Sequence, residues 1–250
     1  MNSTMKHLCR GLLLIVFGLS RSTGAWAYDC EVDGIFYYRI SATELEVANK
    51  VFSDQNKSAY SGAVTIPATV TYSGKTFNVV SIGEYAFRDC TGLTSVVIPN
   101  SVKSIGAYAF YNCSQVNAIN LPSSITNIGM GAFEGCSSLA SMVLPNGIPA
   151  IEDETFFGCT ALRAVVIPAS VASVGEEAFS RCSSLISIYC FPTAVPSCSA
   201  NAFTKVDRTW CTLYVPKDAK AYQEDKAWKE FFIEEFNGKA EDIKLAAPAK

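Results

Sequence analysis

A 23-residue motif recurs along this chain without insertion or deletion. The copy at residues 79–99 has the frame apolar-x-x-Ile-Gly-x-x-Ala-Phe-x-x-Cys-x-x-Leu-x-x-Val-x-Ile-Pro, and four more copies follow in register. A looser sixth copy places Ala202-Phe203 one residue late. A fixed period in this range is typical of solenoids, in which successive coils stack on one another. The residues that mark the period are Phe87, Phe110, Phe133, Phe156 and Phe179, with Cys90, Cys113, Cys136, Cys159 and Cys182.

Each coil is predicted to contain two extended segments and one tight turn. Residues 93–98 are rich in β-branched side chains and end at Pro99, which cannot donate to a strand ladder. Residues 102–105 form the second extended segment, and the glycine after it bends the chain. The Ala-Phe-x-x-Cys segment is expected to be a helical or 3₁₀-like turn. The predicted fold class is therefore a repeat solenoid, a β-rich stack of about six 23-residue coils.

Both ends of such a stack need caps with a polar outer face. Residues 28–62 are predicted to form an N-terminal β cap built on a hairpin, and residues 63–216 the solenoid. Residues 217–250 are predicted to form a C-terminal helical cap and tail, in which Tyr222, Trp228, Phe231 and Phe232 supply the apolar groups. Glu152 replaces the repeat glycine in the fourth coil, where we expect a local distortion but no break in the stack.

Residues 1–27 have the features of a secretory signal peptide. Lys6 and Arg10 precede an apolar run at residues 11–19, and Ala25-Trp26-Ala27 offers an A-x-A cleavage site. The apolar run is shorter than the roughly 20 residues that span a bilayer, and an uncleaved N-terminal anchor is the alternative. No second apolar run of that length follows, so we expect the mature chain to be secreted or held at the cell surface without a membrane span.

The mature chain lacks residues that two large functional classes need. It keeps 17 basic residues against 23 acidic ones, with few cations among the repeats. Nucleic-acid binding requires clustered positive charge and is excluded. The only histidine, His7, leaves with the signal peptide, which removes Ser-His-Asp and Cys-His catalysis and imidazole metal ligands. We predict no enzyme activity, no catalytic residue, no metal site and no cofactor.

The cysteines are predicted to be buried thiols. Five of the nine that remain in the mature chain form one column, one per coil. Coils about 4.7–4.9 Å apart place parallel Cβ atoms slightly beyond the separation of roughly 3.5–4.5 Å that a disulfide prefers. A free cysteine packs as a small hydrophobe. A disulfide among the cysteines outside the column stays open as an alternative: Cys30, Cys190, Cys198 and Cys211.

The frame IGxxAFxxCxxLxxVxIP resembles the BspA-like group of leucine-rich repeats, found in bacterial and protist surface proteins. The LYVPKxxxxxY…W sequence between Leu213 and Trp228 is also similar to the way such arrays end. The resemblance covers residues 63–233. It implies a leucine-rich-repeat solenoid and a role in adhesion to host proteins or to other cells.

One outward column of the stacked strands is the candidate binding surface. In each copy the residue between the last two core positions of the strand points outward, and the residue two positions earlier is small. An apolar ridge beside small residues is typical of the centre of a protein interface. An ordinary sheet face of β-branched residues is the alternative. The predicted ligand-binding residues are Val97, Asn120, Val143, Val166 and Tyr189.

Two further clusters are predicted on the turns. Four carboxylates on adjacent coils could in principle hold Ca²⁺, but no Asp-x-Asp loop is present, and a solvated acidic ridge is favoured. Three tyrosines near the other end are predicted to pack between coils, with contact to a sugar or partner as the alternative. These residues are Asp153, Glu154, Glu176 and Glu177, and Tyr85, Tyr108 and Tyr111.

The resulting hypothesis is a secreted or cell-surface leucine-rich-repeat protein, expected to be a monomer. It would bind an extracellular or cell-surface protein through its stacked strand face. The alternatives are a structural or assembly element of the cell envelope and a glycan-binding module.

Overall fold

The computed structural model of the protein describes residues 28–49, 60–217, 219–238 and 243. The predicted signal peptide and most of the predicted tail lie outside these residues. The predicted β-rich solenoid is confirmed, with parallel strands whose partners are offset by 23 residues, such as Ser95 with Ala118 and Ala164 with Ser187.

Two rows of parallel strands, here called the first and second ladders, run along the stack, and the strand pairing is interrupted after β9 in the first and after β10 in the second. The first ladder consists of β4 (Ser61–Thr65), β7 (Gly92–Val97), β9 (Ala118–Asn120), β11 (Ser141–Val143), β13 (Ala164–Ile167), β15 (Ser187–Cys190), β17 (Thr212–Pro216) and β18 (Phe232–Phe236). The second consists of β6 (Lys75–Ile82), β8 (Ser104–Ile105), β10 (Asn127–Ile128), β12 (Ala150–Ile151), β14 (Ser173–Val174) and β16 (Ser197–Cys198). The cap strands are β1 (Cys30–Val32), β2 (Ile35–Arg39) and β3 (Glu44–Ala48), and β5 (Thr69–Tyr72) pairs with β6.

The third side of each coil is a run of turns that also bonds from coil to coil. The amides of Tyr85 and Phe87 donate to carbonyls of the next coil at 3.1 and 2.7 Å. Hydrogen bonds between residues three apart resemble those of the expected 3₁₀ turn, but two residues per coil have positive φ, which prevents a helix. The two left-handed columns are Tyr85, Tyr108, Gly131, Glu154 and Glu177, and Asp89, Asn112, Gly135, Gly158 and Arg181.

A column of stacked rings fills the interior. Six phenylalanines, one per coil, lie with their rings nearly parallel and their centroids 5.0–5.5 Å apart: Phe87, Phe110, Phe133, Phe156, Phe179 and Phe203. Tyr60 covers the first ring at 4.7 Å, and Trp228 and Phe231 meet the last ring edge-on at 5.5 and 5.0 Å. The aromatic column therefore runs from cap to cap.

The repeat cysteines are buried and reduced, as predicted, and four of them bond to the preceding coil. The Sγ of Cys113 donates to the carbonyl of Phe87 in the preceding coil at 3.0 Å. The thiols of Cys136, Cys159 and Cys182 repeat this bond at 3.1–3.2 Å. All nine cysteines in the described part of the chain are free, including the four for which a disulfide was an open alternative.

The repeat glycine is required by close packing between coils rather than by turn geometry. A Cβ on Gly106 would lie 2.5 Å from the backbone nitrogen of Glu84 in the preceding coil, and its φ is not positive. The second ladder is interrupted between β10 and β12, shortly before Glu152, but the first ladder is also interrupted, between β9 and β11, so the distortion expected at Glu152 stays a prediction. Pro149 contributes to the interruption of the second ladder. The amides at the equivalent positions of the neighbouring coils, Thr126 and Ala172, donate to the preceding coil, whereas proline has no N–H to donate. Hydrogen bonding between coils continues on the turn side, where the amide of Phe133 donates to the carbonyl of Thr155 at 2.9 Å.

The two ends differ in how well they were predicted. The N-terminal hairpin is confirmed, with β2 antiparallel to β3 and β3 joined to β6. At the C-terminal end the only helix among the described residues is α1 (Ala221–Glu224). The chain then adds β18 in parallel to β17, a strand that the sequence analysis missed. Trp228 and Phe231 are buried as predicted, whereas Phe232 is 59% exposed and does not belong to the core.

Candidate functional site

The outward face of the first ladder, here called the strand face, carries the predicted binding column. Strand register places Val97 beside Asn120, and Val143, Val166 and Tyr189 in one row. Val97 is 58% exposed and Val143 45% exposed, although both are aliphatic, and Asn120 is also exposed. These three side chains form an accessible ridge over the N-terminal half of the face.

The prediction that the whole column is exposed is wrong at Val166. Its side chain is 0% exposed, although it lies in register between Val143 and Tyr189 and outside the interior core. Repeat spacing carries no information about what else packs onto that face, so the sequence could not predict this burial.

An aromatic cluster occupies the C-terminal end of the strand face. The rings of Tyr189 and Tyr214 stack at 4.6 Å, and Phe236 meets both of them edge-on at 5.7 and 6.3 Å. Phe191 joins the cluster through Phe236 at 6.0 Å. Burial, followed by the neighbouring Tyr214 phenol, raises the pKa of Tyr189, which keeps the group neutral. Apart from Tyr189, these residues were not predicted as part of the site, because the register of β18 is not visible in the sequence.

The strand face is almost free of charge. Strands β7, β9, β11, β13, β15 and β17 contain no charged residue, and the carboxylates of the ladder are Glu234 and Glu235 on the terminal strand β18. Trp210, just before β17, is 79% exposed, and Phe232 is exposed at the same end. Large apolar groups that stay accessible on an uncharged face are typical of surfaces that bind other proteins.

The tyrosines on the turns pack against one another, as predicted. Tyr85 stacks on Tyr108 at 5.4 Å, and Tyr111 meets Tyr108 edge-on at 6.0 Å. The guanidinium of Arg88 lies over the rings of Tyr85 and Tyr111 at 5.3 and 5.4 Å. The absence of a side chain at Gly131 allows the Tyr108 ring to cross that position. This role of glycine was missed, although Gly131 interrupts a column of larger residues.

The acidic ridge is bonded internally rather than arranged around an ion. Tyr108 donates its hydroxyl hydrogen to Glu154 at 2.9 Å, and the amide of Glu176 donates to Asp153 at 2.6 Å. Burial raises the pKa of Glu134, and the nearby carboxylates of Glu154 and Glu177 raise it further. Over the described ranges, no three His, Cys, Asp or Glu side chains are arranged to hold a metal ion.

Taken together, the parallel ladders and the stacked coil interior define a β-solenoid repeat protein. Within the part of the chain that the structure describes, no helix combines the length and apolar character needed to cross a membrane. Six copies of the BspA type leucine rich repeat match residues 80–209. The chain belongs to this family.

Comparison with solved structures agrees with the family assignment. The chain is similar to a leucine-rich repeat protein of T. pallidum, with 29% identity, a TM-score of 0.55, and coverage of 66% of this chain and 72% of that one. It also matches a leucine-rich cell surface protein of Faecalibacterium prausnitzii, with 21% identity, a TM-score of 0.44, and coverage of 78% and 71%. The first of these similarities supports the leucine-rich-repeat fold of the chain. No curated protein sequence matches the chain.

Proposed function

We propose that this protein is secreted or displayed on the cell surface and binds another protein on its strand face. The observation that carries the proposal is the row of six strands without a charged residue, on which Val97 and Val143 remain exposed. Burying these groups against a partner provides a hydrophobic driving force of about 25 cal/mol for each Å² of apolar surface. No charged group in these six strands has to be desolvated.

The family supports an adhesion-type binding role, because the BspA-like resemblance implies surface proteins that attach to host proteins or to other cells. The residues available for chemistry support binding rather than catalysis. The repeat thiols lie in the interior, and burial raises the pKa of Cys136 to about 12, so they are neither accessible nor ionised near neutral pH.

The glycan-binding alternative has less support. A sugar stacks on an open aromatic face, whereas Tyr85 and Tyr108 stack on each other and Arg88 lies over Tyr85. Cell fractionation distinguishes the proposed binding protein from the other alternative, a structural or assembly element of the cell envelope. A structural element stays with the envelope fraction, and a diffusible binding protein appears in the medium.

The experiment that tests the proposal is retention of partners from a panel of immobilised extracellular-matrix and cell-surface proteins. The test variant is Val97→Glu combined with Val143→Glu, which places two charges on the ridge. The matched control is Thr126→Glu combined with Thr160→Glu, which adds the same charge at exposed sites outside the first ladder. Val166 is left unchanged because its substitution would disturb a buried site.

We expect the ridge variant to lose at least tenfold in affinity, or about 1.4 kcal/mol, and the control variant to bind as the original protein does. Retention of nothing by the original protein, or equal binding by all three proteins, would contradict the proposal. Circular dichroism on each variant confirms that the fold is intact.

A further inference from the structure

The C-terminal end of the strand face combines aromatic rings with a carboxylate. Strand register places Tyr189 beside Tyr214, and Tyr214 beside Glu234 on the terminal strand β18. Both tyrosines are half-buried and Glu234 is exposed. Alternate residues of a strand share a face, so Glu235 lies on the other side of β18. Within the described strands of the first ladder, Glu234 is therefore the one charged residue in the outward row of Tyr189 and Tyr214.

One face of the Tyr214 ring is directed toward Glu234. The rings of Tyr189 and Tyr214 lie 4.6 Å apart and 10° from parallel, which matches the roughly 4.8 Å between neighbouring strands. The rings therefore stack along the ladder, and the face of Tyr214 opposite Tyr189 points toward β18. The ring of Phe236 does not cover that face. Its centroid is closer to Tyr189 than to Tyr214, at 5.7 against 6.3 Å, so it lies beside the stacked pair.

The charge at this end of the strand face is not balanced by a basic residue of the described ranges. The ion pairs between described residues involve the carboxylates of Asp89 and Glu230, and neither includes Glu234. Strand β18 is also the last strand of its sheet in the described part of the chain, so no further strand of that part lies over the carboxylate.

The ring face and the carboxylate attract the same kind of group. The face of a tyrosine ring attracts a cation through its quadrupole, and a carboxylate accepts charge-assisted hydrogen bonds from guanidinium or ammonium groups. Phe232 lies on the same side of β18 as Glu234 and is 59% exposed, which adds an apolar surface next to the charge. These groups are complementary to a basic side chain, which has an aliphatic stem and a cationic end.

We propose that Tyr214 and Glu234 form a subsite of the strand face that binds a basic side chain of the partner. The cationic end lies over the Tyr214 ring and donates to the Glu234 carboxylate, and the aliphatic stem packs on Phe232. Arginine suits the subsite better than lysine, because a planar guanidinium stacks on a ring while its edge bonds to a carboxylate. This inference rests on the function proposed above and specifies the chemistry of the partner at one end of the strand face.

Titration with a short peptide tests the subsite directly. The probe is the acetylated and amidated tripeptide valine-arginine-valine, and its control contains citrulline, which is similar in shape to arginine but uncharged. Binding is followed through the backbone amide chemical shifts of isotope-labelled protein at positions 214 and 234. We expect the arginine peptide to bind at least about fivefold more tightly than the citrulline peptide. Equal affinity, or shifts confined to other parts of the chain, overturns the proposal.

Two pairs of variants test the carboxylate and the ring separately. Glu234→Gln removes the proposed charge, and its matched control Glu235→Gln removes the same charge from the other side of β18. Tyr214→Leu removes the ring, and its matched control Tyr214→Phe keeps the ring face. We expect Glu234→Gln and Tyr214→Leu each to weaken binding of the arginine peptide at least about threefold and the two controls to leave it unchanged. Equal losses in Glu234→Gln and Glu235→Gln, both at exposed sites, count against the subsite.

Failure of the subsite and failure of the proposed function give different results. For a partner retained by the original protein, we expect Glu234→Gln to weaken binding at least about threefold and Glu235→Gln to leave it unchanged. A retained partner that loses affinity in the Val97 and Val143 variant but not in Glu234→Gln overturns the subsite and supports the function. Retention of no partner contradicts the function, while the peptide titration still decides the subsite.

Discussion

Replacing Phe133 with alanine tests how strongly the aromatic column holds the stack together. Phe133 is fully buried, and its ring stacks on Phe110 at 5.4 Å and on Phe156 at 5.5 Å. Truncation of a buried phenylalanine to alanine costs about 3–5 kcal/mol, and ring pairs contribute about 0.5–1.5 kcal/mol each beyond their buried area. Because Phe133 lies between two other rings, we expect its replacement by alanine to lower the free energy of unfolding by about 4–5 kcal/mol. That is a large share of the roughly 5–15 kcal/mol by which proteins are stable.

Urea unfolding followed by circular dichroism measures this cost. With a slope of about 1–3 kcal/mol per molar urea, the midpoint should fall by about 2 M. Phe133→Leu keeps most of the volume but not the ring stacking, and should cost about 1–2 kcal/mol. The control is Phe232→Ala at a ring that is 59% exposed, where we expect a change within about 0.5 kcal/mol. A loss below about 1.5 kcal/mol for Phe133→Ala, at an unchanged slope, would refute the reasoning.

Three further predictions follow from particular contacts. Gly131 and Gly158 both have positive φ, but a Cβ at Gly131 would overlap the Tyr108 ring, whereas at Gly158 its nearest neighbour would lie 3.9 Å away. Gly131→Ala should therefore cost at least about 1 kcal/mol more than Gly158→Ala in urea unfolding; equal costs would contradict this. Burial raises the pKa of Cys136 from its ordinary value of 9.0 to about 12, so the unfolded chain loses this proton first. The free energy of unfolding should then fall by up to about 1.4 kcal/mol per pH unit between pH 9 and 12 for this thiol, and Cys136→Ser should make that fall less steep in urea midpoints. Trp228→Phe removes the indole donor from a buried carbonyl at 2.9 Å and should cost about 1–3 kcal/mol in thermal or urea unfolding, whereas a change below about 0.5 kcal/mol would show that the bond contributes little.

The repeat frame predicts the interior because one spacing places every equivalent residue in the same environment. Once Phe87 and Phe110 are 23 residues apart in a stacked coil, their rings must meet, and the structure places them 5.0 Å apart. The same logic predicts the buried thiols and the outward position of Val97. The hydrogen bond from the Cys113 thiol to the carbonyl of Phe87, 26 residues earlier, depends on the exact backbone path of the turn. The spacing of the repeat does not define that path.

The unpredicted features arise where the period ends. Residues 232–236, Phe-Ile-Glu-Glu-Phe, show no alternation of apolar and polar residues, so nothing in them indicates a strand. Strand β18 forms because β17 offers an open edge, which is a property of the folded stack. The aromatic cluster at Tyr189 includes Phe236 of that strand, and was out of reach of the sequence for the same reason.

The thiol bonds, the ring stacking and the turn-side amides all join a coil to its immediate neighbour. The stability of a coil therefore depends on its immediate neighbours and not on the number of coils beyond them. Duplication of 23 residues in the gene would lengthen the strand face by one coil, about 4.8 Å, and leave both caps as they are. The length of the strand face is thus set by the number of repeats, which can change without redesigning the interior.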